Sequence, residues 1–229
     1  MLIHLAIHPQ WREKCKDEVQ RLISRHFGDC TTSAMLCEKL AAIPVSGWED
    51  ELPALDACIR ETHRLSLVGL IMRRSPHKMR IEGKAVRRGD FLGYLLGDAH
   101  LNPEYYPEPH KYDPGRWLRP DPVPDTTFPF LGWGAGRHPC TGMKVAKLEL
   151  KLISAIFLTR YEYELVDEHG KFLKQCPVLD RNDLHQVCAR TLEILRLALM
   201  CLSAIYLGSP PQVNVLLQLQ KSRGVGGWL

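Results

Sequence analysis

Thirteen residues, Phe130-Leu-Gly-Trp-Gly-Ala-Gly-Arg-His-Pro-Cys-Thr-Gly142, constrain this 229-residue chain more than any other segment. Gly132, Gly134 and Gly136 free the backbone to adopt positive φ and to approach something flat and bulky. Pro139 stiffens the approach. Cys140 falls at the start of an expected helix, where unpaired N–H groups and the positive end of the dipole favour a thiolate. Three readings are open for such a sulfur. It is a nucleophile with His138 as base, a metal ligand, or a buried cysteine in a Gly-rich turn. A lone cysteine ligand with no histidine or cysteine cluster points to a cofactor that brings its other ligands itself, as haem does.

The other seven cysteines narrow the choice. None forms a C-x-x-C pair, which removes zinc fingers, zinc ribbons and thioredoxin-type redox sites. Eight scattered cysteines are too few for a disulfide scaffold and fit a reducing compartment. A composition with 45% hydrophobic and 24% charged residues is that of a globular chain, not a disordered one. A net charge of +4 is too small to argue for nucleic acid as a partner. The apolar run Met1–Ile7 lacks a basic n-region and is too short to span a bilayer. The run 197–207 is also short and is preceded by Glu193 and Arg196.

Periodicity predicts a helix from about Pro9 to Phe27, with Trp11, Cys15, Val19 and Leu22 on one stripe and Pro9 at its first position. A second helix is expected from Glu51 or Leu52 to Leu65, with Leu52, Leu55, Ile59 and Thr62 inward. The period then falls towards two. Met79–Ile81, Ala85–Val86 and Phe91–Leu96 read as strands, with Gly83 and Gly89-Asp90 at the turns. The stretch from Leu101 to Cys140 holds nine of the sixteen prolines, so regular structure is not expected there. Its interleaved aromatics need packing partners, which makes it a functional segment rather than a disordered one. A third helix is expected from just after Cys140 to about Tyr161, burying Ala146, Leu150, Ile153 and Phe157. Tyr163–Val166 and Phe172–Leu173 read as a hairpin.

Trp133-Gly-Ala-Gly-Arg-His-Pro-Cys-Thr-Gly142 resembles the haem-binding loop of the cytochrome P450 superfamily. Glu61-Thr-His-Arg64 resembles the family's E-x-x-R element, and Pro109-His-Lys-Tyr-Asp-Pro-Gly-Arg-Trp117 resembles the P-E-R-F-type segment. All three occur in the family's order. The resemblance implies a mainly α fold with small β-sheets, the C-terminal portion of the cytochrome P450 fold, over residues 1–188. Residues 189–229 have no recognised counterpart, being apolar and then Gly-rich. The Gly-Arg-His-x-Cys spelling and the stretch Leu95–Pro109 resemble the sterol 14-demethylase-related and fungal branches.

The resemblance implies b-type haem as cofactor, with Cys140 as the axial iron ligand. Gly136 and Gly142 would let the loop pack closely on the porphyrin, and Trp133 would pack near the thiolate. His138 and Arg73, or Arg74 in place of the latter, would contact the haem propionates. Glu61, Arg64 and Arg116 would form a buried ion-pair triad under the cysteine loop. Lys144, Lys147 and Lys151 would make a basic docking stripe for the acidic NADPH-cytochrome P450 reductase. The implied activity is insertion of one oxygen atom from dioxygen into a lipophilic small molecule.

Two departures qualify the likeness. Ser66-Leu-Val-Gly69 lacks the usual prolines after the E-x-x-R helix. Met1–Gln20 resembles the end of the long central helix and its successor, so the N-terminal half is expected to lie outside this chain. With it would go the membrane anchor and the acid/alcohol pair that delivers protons. The full-length family resides at the endoplasmic reticulum membrane; the chain as given is expected to be soluble or peripheral. A catalytically silent fragment that binds haem or partners is one alternative. A haem-thiolate isomerase or dehydratase needing no reductase is another.

Overall fold

The computed structural model describes residues 1–28, 36–67, 69–120, 130–167, 171–176 and 215–221. Among these the chain is mainly helical, with three small two-stranded antiparallel sheets. Helix α1 (Leu2–Ile7) leads into α2 (Pro9–Phe27), which begins with Pro at its first position as the sequence predicts. Short helices α3 (Leu36–Ala42) and α4 (Val45–Asp50) precede α5 (Pro53–Ser66). Strands β1 (Leu70–Arg74) and β4 (Phe91–Leu95) pair around the hairpin of β2 (Met79–Ile81) and β3 (Lys84–Val86). After α6 (Leu96–His100) the chain is irregular except for a 3-10 turn at Pro114–Trp117. Helix α7 (Met143–Arg160) and strand β5 (Tyr161–Asp167) follow, and β6 (Val215–Lys221) pairs with β5 along its whole length.

The core forms where α2, α5 and α7 meet. Cys15, Val19 and Leu22 of α2 pack with Leu55, Cys58 and Ile59 of α5 and with Ala155–Leu158 of α7. Trp11, expected on the α2 stripe, only borders this core.

Three expectations need correction. The buried stripe of α7 is not Ala146, Leu150, Ile153 and Phe157. Only Phe157 of that set is fully buried, whereas Ser154 to Leu158 are buried consecutively. Only the C-terminal part of α7 is enclosed, and a run buried on consecutive positions has no periodic face to read. The hairpin expected at Tyr163–Val166 and Phe172–Leu173 survives as one bridge between Val166 and Phe172 and a Leu173 N–H bond to the Leu165 carbonyl. The longer partner of β5 is β6, and strand β1 was not anticipated.

The third correction concerns the basic stripe. Lys151 is buried, and its ammonium donates to the Trp48 carbonyl at 2.7 Å and pairs with Asp56 at 2.9 Å. It ties α7 to α4 and α5 and cannot belong to a docking surface. Helical spacing puts Lys144, Lys147 and Lys151 on one side but is blind to the carboxylate waiting there. Lys151→Met is expected to lower stability by about 1–3 kcal/mol, because the Trp48 carbonyl loses its donor. Urea unfolding of the two chains measures this.

Candidate functional site

Helix α5 supplies the first half of the site. Its apolar positions face the core, and Glu61 and Arg64, one turn apart, are wholly buried at its C-terminal end. Arg64 grips Glu61 with two parallel bonds, Nε to Oε2 at 2.9 Å and Nη2 to Oε1 at 2.8 Å. Arg116 reaches the same carboxylate from the 3-10 turn, Nε to Oε1 at 3.1 Å. The Trp117 indole N–H donates to Oε2 at 3.0 Å, and the Asp113 N–H donates to Oε1 at 3.1 Å. The remaining guanidinium donors turn to backbone. Arg64 binds the carbonyls of His100, Pro109 and Lys111, and Arg116 binds that of Pro107. The irregular segment 107–117 is thus held by side chains where it has no ladder of its own. Arg60 adds a stacked cation, its guanidinium 4.0 Å from the Trp117 ring centroid and 4.8 Å from that of Phe130.

The second half is the cysteine loop. The Gly134 N–H bonds back to the Leu131 carbonyl at 3.0 Å, and the Cys140 N–H bonds to the Trp133 carbonyl at 2.7 Å. Gly134 has φ of 76°, and a Cβ there would stand 3.2 Å from the His138 carbonyl oxygen, so the turn requires glycine. Gly136 has φ of 70°, yet no atom lies within 4 Å of where its Cβ would be, and the same open space lies at Gly142. Every residue from Gly136 to Gly142 is exposed. Cys140 carries a free, exposed thiol just ahead of α7, whose N-cap is Gly142.

These residues fit a flat group with its own metal ligands. The sulfur is free and exposed, and open space lies at Gly136 and Gly142. Leu70, Met72, Phe91 and Leu95 share one exposed apolar face of the β1–β4 ribbon, while Ile71 on the other face packs with Leu131 and Ala135.

The structure joins Glu61, Arg64 and Arg116 in one network and Trp133 with Cys140 in another. Arg73 is exposed on β1 and turns its guanidinium onto the Met72 carbonyl. His138 is exposed on the loop. Neither enters those networks among the described residues. Sequence reasoning missed His63, His100 and the role of the Trp117 indole. Only Trp117 carried a signal, since a tryptophan in a packed segment needs an acceptor for its N–H.

His63 packs against Trp133, with ring centroids 4.6 Å apart. Burial pushes His63 down to about 4, with the chain's amino terminus and Lys147 acting in the same direction. A histidine depressed in the fold binds its proton more readily when unfolded. Stability is therefore complete above the unfolded value of 6.5 and is lost as pH falls towards 4. His63→Leu is expected to flatten that part of the melting-temperature profile between pH 6.5 and 4.

A family model described as Cytochrome P450 matches residues 1–189. Cytochrome P450 monooxygenase AacuE of Aspergillus aculeatus is 36% identical over 176 residues, covering 75% of this chain and 35% of its own. Cytochrome P450 monooxygenase dmxR5 of a Cryptosporiopsis species is 34% identical over 174 residues, covering 75% and 34%. The chain thus spans about a third of the length of these relatives. The solved structure of retinoic acid-bound cyanobacterial CYP120A1 shares the fold, with a TM-score of 0.53 at 24% identity over 71% of this chain and 34% of that one.

Proposed function

Because the chain belongs to the cytochrome P450 family, whose relatives here are named monooxygenases, we propose that it is the haem-carrying C-terminal portion of a haem-thiolate monooxygenase with Cys140 as the axial iron ligand. The observation that carries this reading is the exposed Cys140 on a loop with open space at Gly136 and Gly142. When bound, b-type haem supplies the activation of dioxygen and the transfer of one oxygen atom to a lipophilic substrate, with electrons from NADPH through cytochrome P450 reductase.

The chain's own residues bind and orient. Cys140, just ahead of α7, would ligate the iron through its sulfur, which gives up its proton on binding a metal. The Trp133 carbonyl fixes the Cys140 backbone, while the Trp133 ring packs on His63. Gly136 and Gly142 give the macrocycle close approach. His138 and Arg73, or Arg74, all exposed, would contact its propionates. Glu61, Arg64 and Arg116 are positioning residues that brace the segment beneath the loop. The apolar β1–β4 face supports a lipophilic substrate. Lys144 and Lys147, without Lys151, remain as a docking patch for an acidic reductase. Residues 189–229 form an addition to the family domain. The reading carries with it a place for the whole protein at the endoplasmic reticulum membrane; among the described residues no helix is long and apolar enough to cross a membrane.

The test is to express the chain with haem supplied, reduce it, add carbon monoxide and record the Soret band. A strongly red-shifted band is the expected result, and no haem uptake overturns the reading. Dependence of turnover on NADPH and reductase separates monooxygenase from isomerase or dehydratase activity.

A further inference from the structure

His100 ends α6 and is fully buried. Contacts from this one residue run to both halves of the site. Its carbonyl accepts Arg64 Nη1–H at 2.8 Å. Its ring Nε2 accepts the Leu131 N–H at 2.9 Å. The ring also stacks on Phe130, with centroids 5.3 Å apart and planes 19° from parallel. Phe130 and Leu131 open the cysteine loop.

We propose that His100 is the positioning residue that transmits the Glu61–Arg64–Arg116 network to the cysteine loop. Its bearing on the haem site rests on the function proposed above, while its hold on the loop does not. A ring nitrogen that accepts a backbone N–H keeps its lone pair there, so the imidazole is neutral with its proton on Nδ1. The bond it receives is the first of a series. The Leu131 carbonyl takes the Gly134 N–H, and the Trp133 carbonyl takes the Cys140 N–H. Arg64 restrains the backbone of His100, and the His100 ring in turn restrains the start of that series. Arg60, stacked on Phe130 and Trp117, clamps the same junction from α5.

Two substitutions separate this role from mere packing. His100→Phe keeps a ring against Phe130 and removes the acceptor. His100→Gln loses the ring but places a carbonyl oxygen within reach of the Leu131 N–H. Amide hydrogen exchange, which needs no haem, is expected to show protection at Leu131, Gly134 and Cys140 falling together by about tenfold or more in the Phe variant, as an unmade buried bond requires. The Gln variant is expected to recover most of it. Loosening confined to Leu131, or a Gln variant no better than Phe, overturns the proposal. In the wild-type chain, nitrogen NMR is expected to find the His100 ring protonated on Nδ1, and a ring protonated on Nε2 overturns the proposal even if the Phe variant does not fold. With haem loaded, the Phe variant is expected to release it faster than wild type and the Gln variant near the wild-type rate. Unchanged release in a loosened Phe variant also overturns the proposal. If the wild type takes up no haem, the proposed function falls while the exchange and NMR arms still decide the role of His100.

Discussion

Glu61→Ala is expected to cost the fold about 3–5 kcal/mol, a large share of the roughly 5–15 kcal/mol that holds a typical domain together. The carboxylate accepts bonds from Arg64, Arg116, Trp117 and the Asp113 backbone, all within 3.1 Å. Removing it strands two guanidinium groups that are both buried. As a bare pair one turn apart on a helix, Glu61 and Arg64 would be worth only about 0.2–0.5 kcal/mol. Burial makes the difference, because neither cation can then turn to water. Arg64→Lys is expected to fail for a related reason. Arg64 makes two parallel bonds to Glu61 and three more to carbonyls, and an ammonium offers three donors with no fork. Chemical denaturation measures both losses. A Glu61→Ala midpoint close to wild type would show that the network is dispensable.

Cys140→Ser is expected to abolish the red-shifted carbon monoxide band while leaving the fold intact. A serine hydroxyl stays protonated at neutral pH and does not supply the soft anionic donor of a thiolate. The loss of haem retention should exceed the roughly 10- to 100-fold that removal of an outer-shell partner costs a metal site. Because the side chain is exposed, stability should stay within about 0.5 kcal/mol of wild type. Glu61→Ala and Cys140→Ser therefore separate cleanly, one acting on the scaffold and the other on the ligand it presents. Unaltered spectra in Cys140→Ser would remove the sulfur from the site.

Those two residues were singled out through the resemblance to family motifs, Glu61 and Arg64 as the E-x-x-R pair one helical turn apart and Cys140 as the cysteine of the Gly-rich loop. Helices α2 and α5 were legible from apolar periodicity, since each has one buried face; Pro9 marked the start of α2, whereas α5, expected from Glu51 or Leu52, begins at Pro53. What escaped is what depends on partners far along the chain. Lys151 looked like surface because nothing in α7 announces Asp56. His100 belongs to no pattern, being a lone histidine whose importance lies in a backbone N–H thirty-one residues away. Strand β1, Leu-Ile-Met-Arg-Arg, does not alternate, and only its pairing with β4 makes it a strand.

The hub at Glu61 also bears on how the chain folds. Its bond to Arg64 closes within one turn, but Asp113, Arg116 and Trp117 lie 52 to 56 residues downstream. A forming α5 therefore carries a carboxylate that water must serve until that long segment returns. Each partner reaches the hub by the same loop closure, so the later partners cost little extra chain entropy once the first has docked. Segment 107–117 should accordingly lock down in one cooperative step. The order of assembly expected from this is α5 first, the downstream segment next and the cysteine loop last.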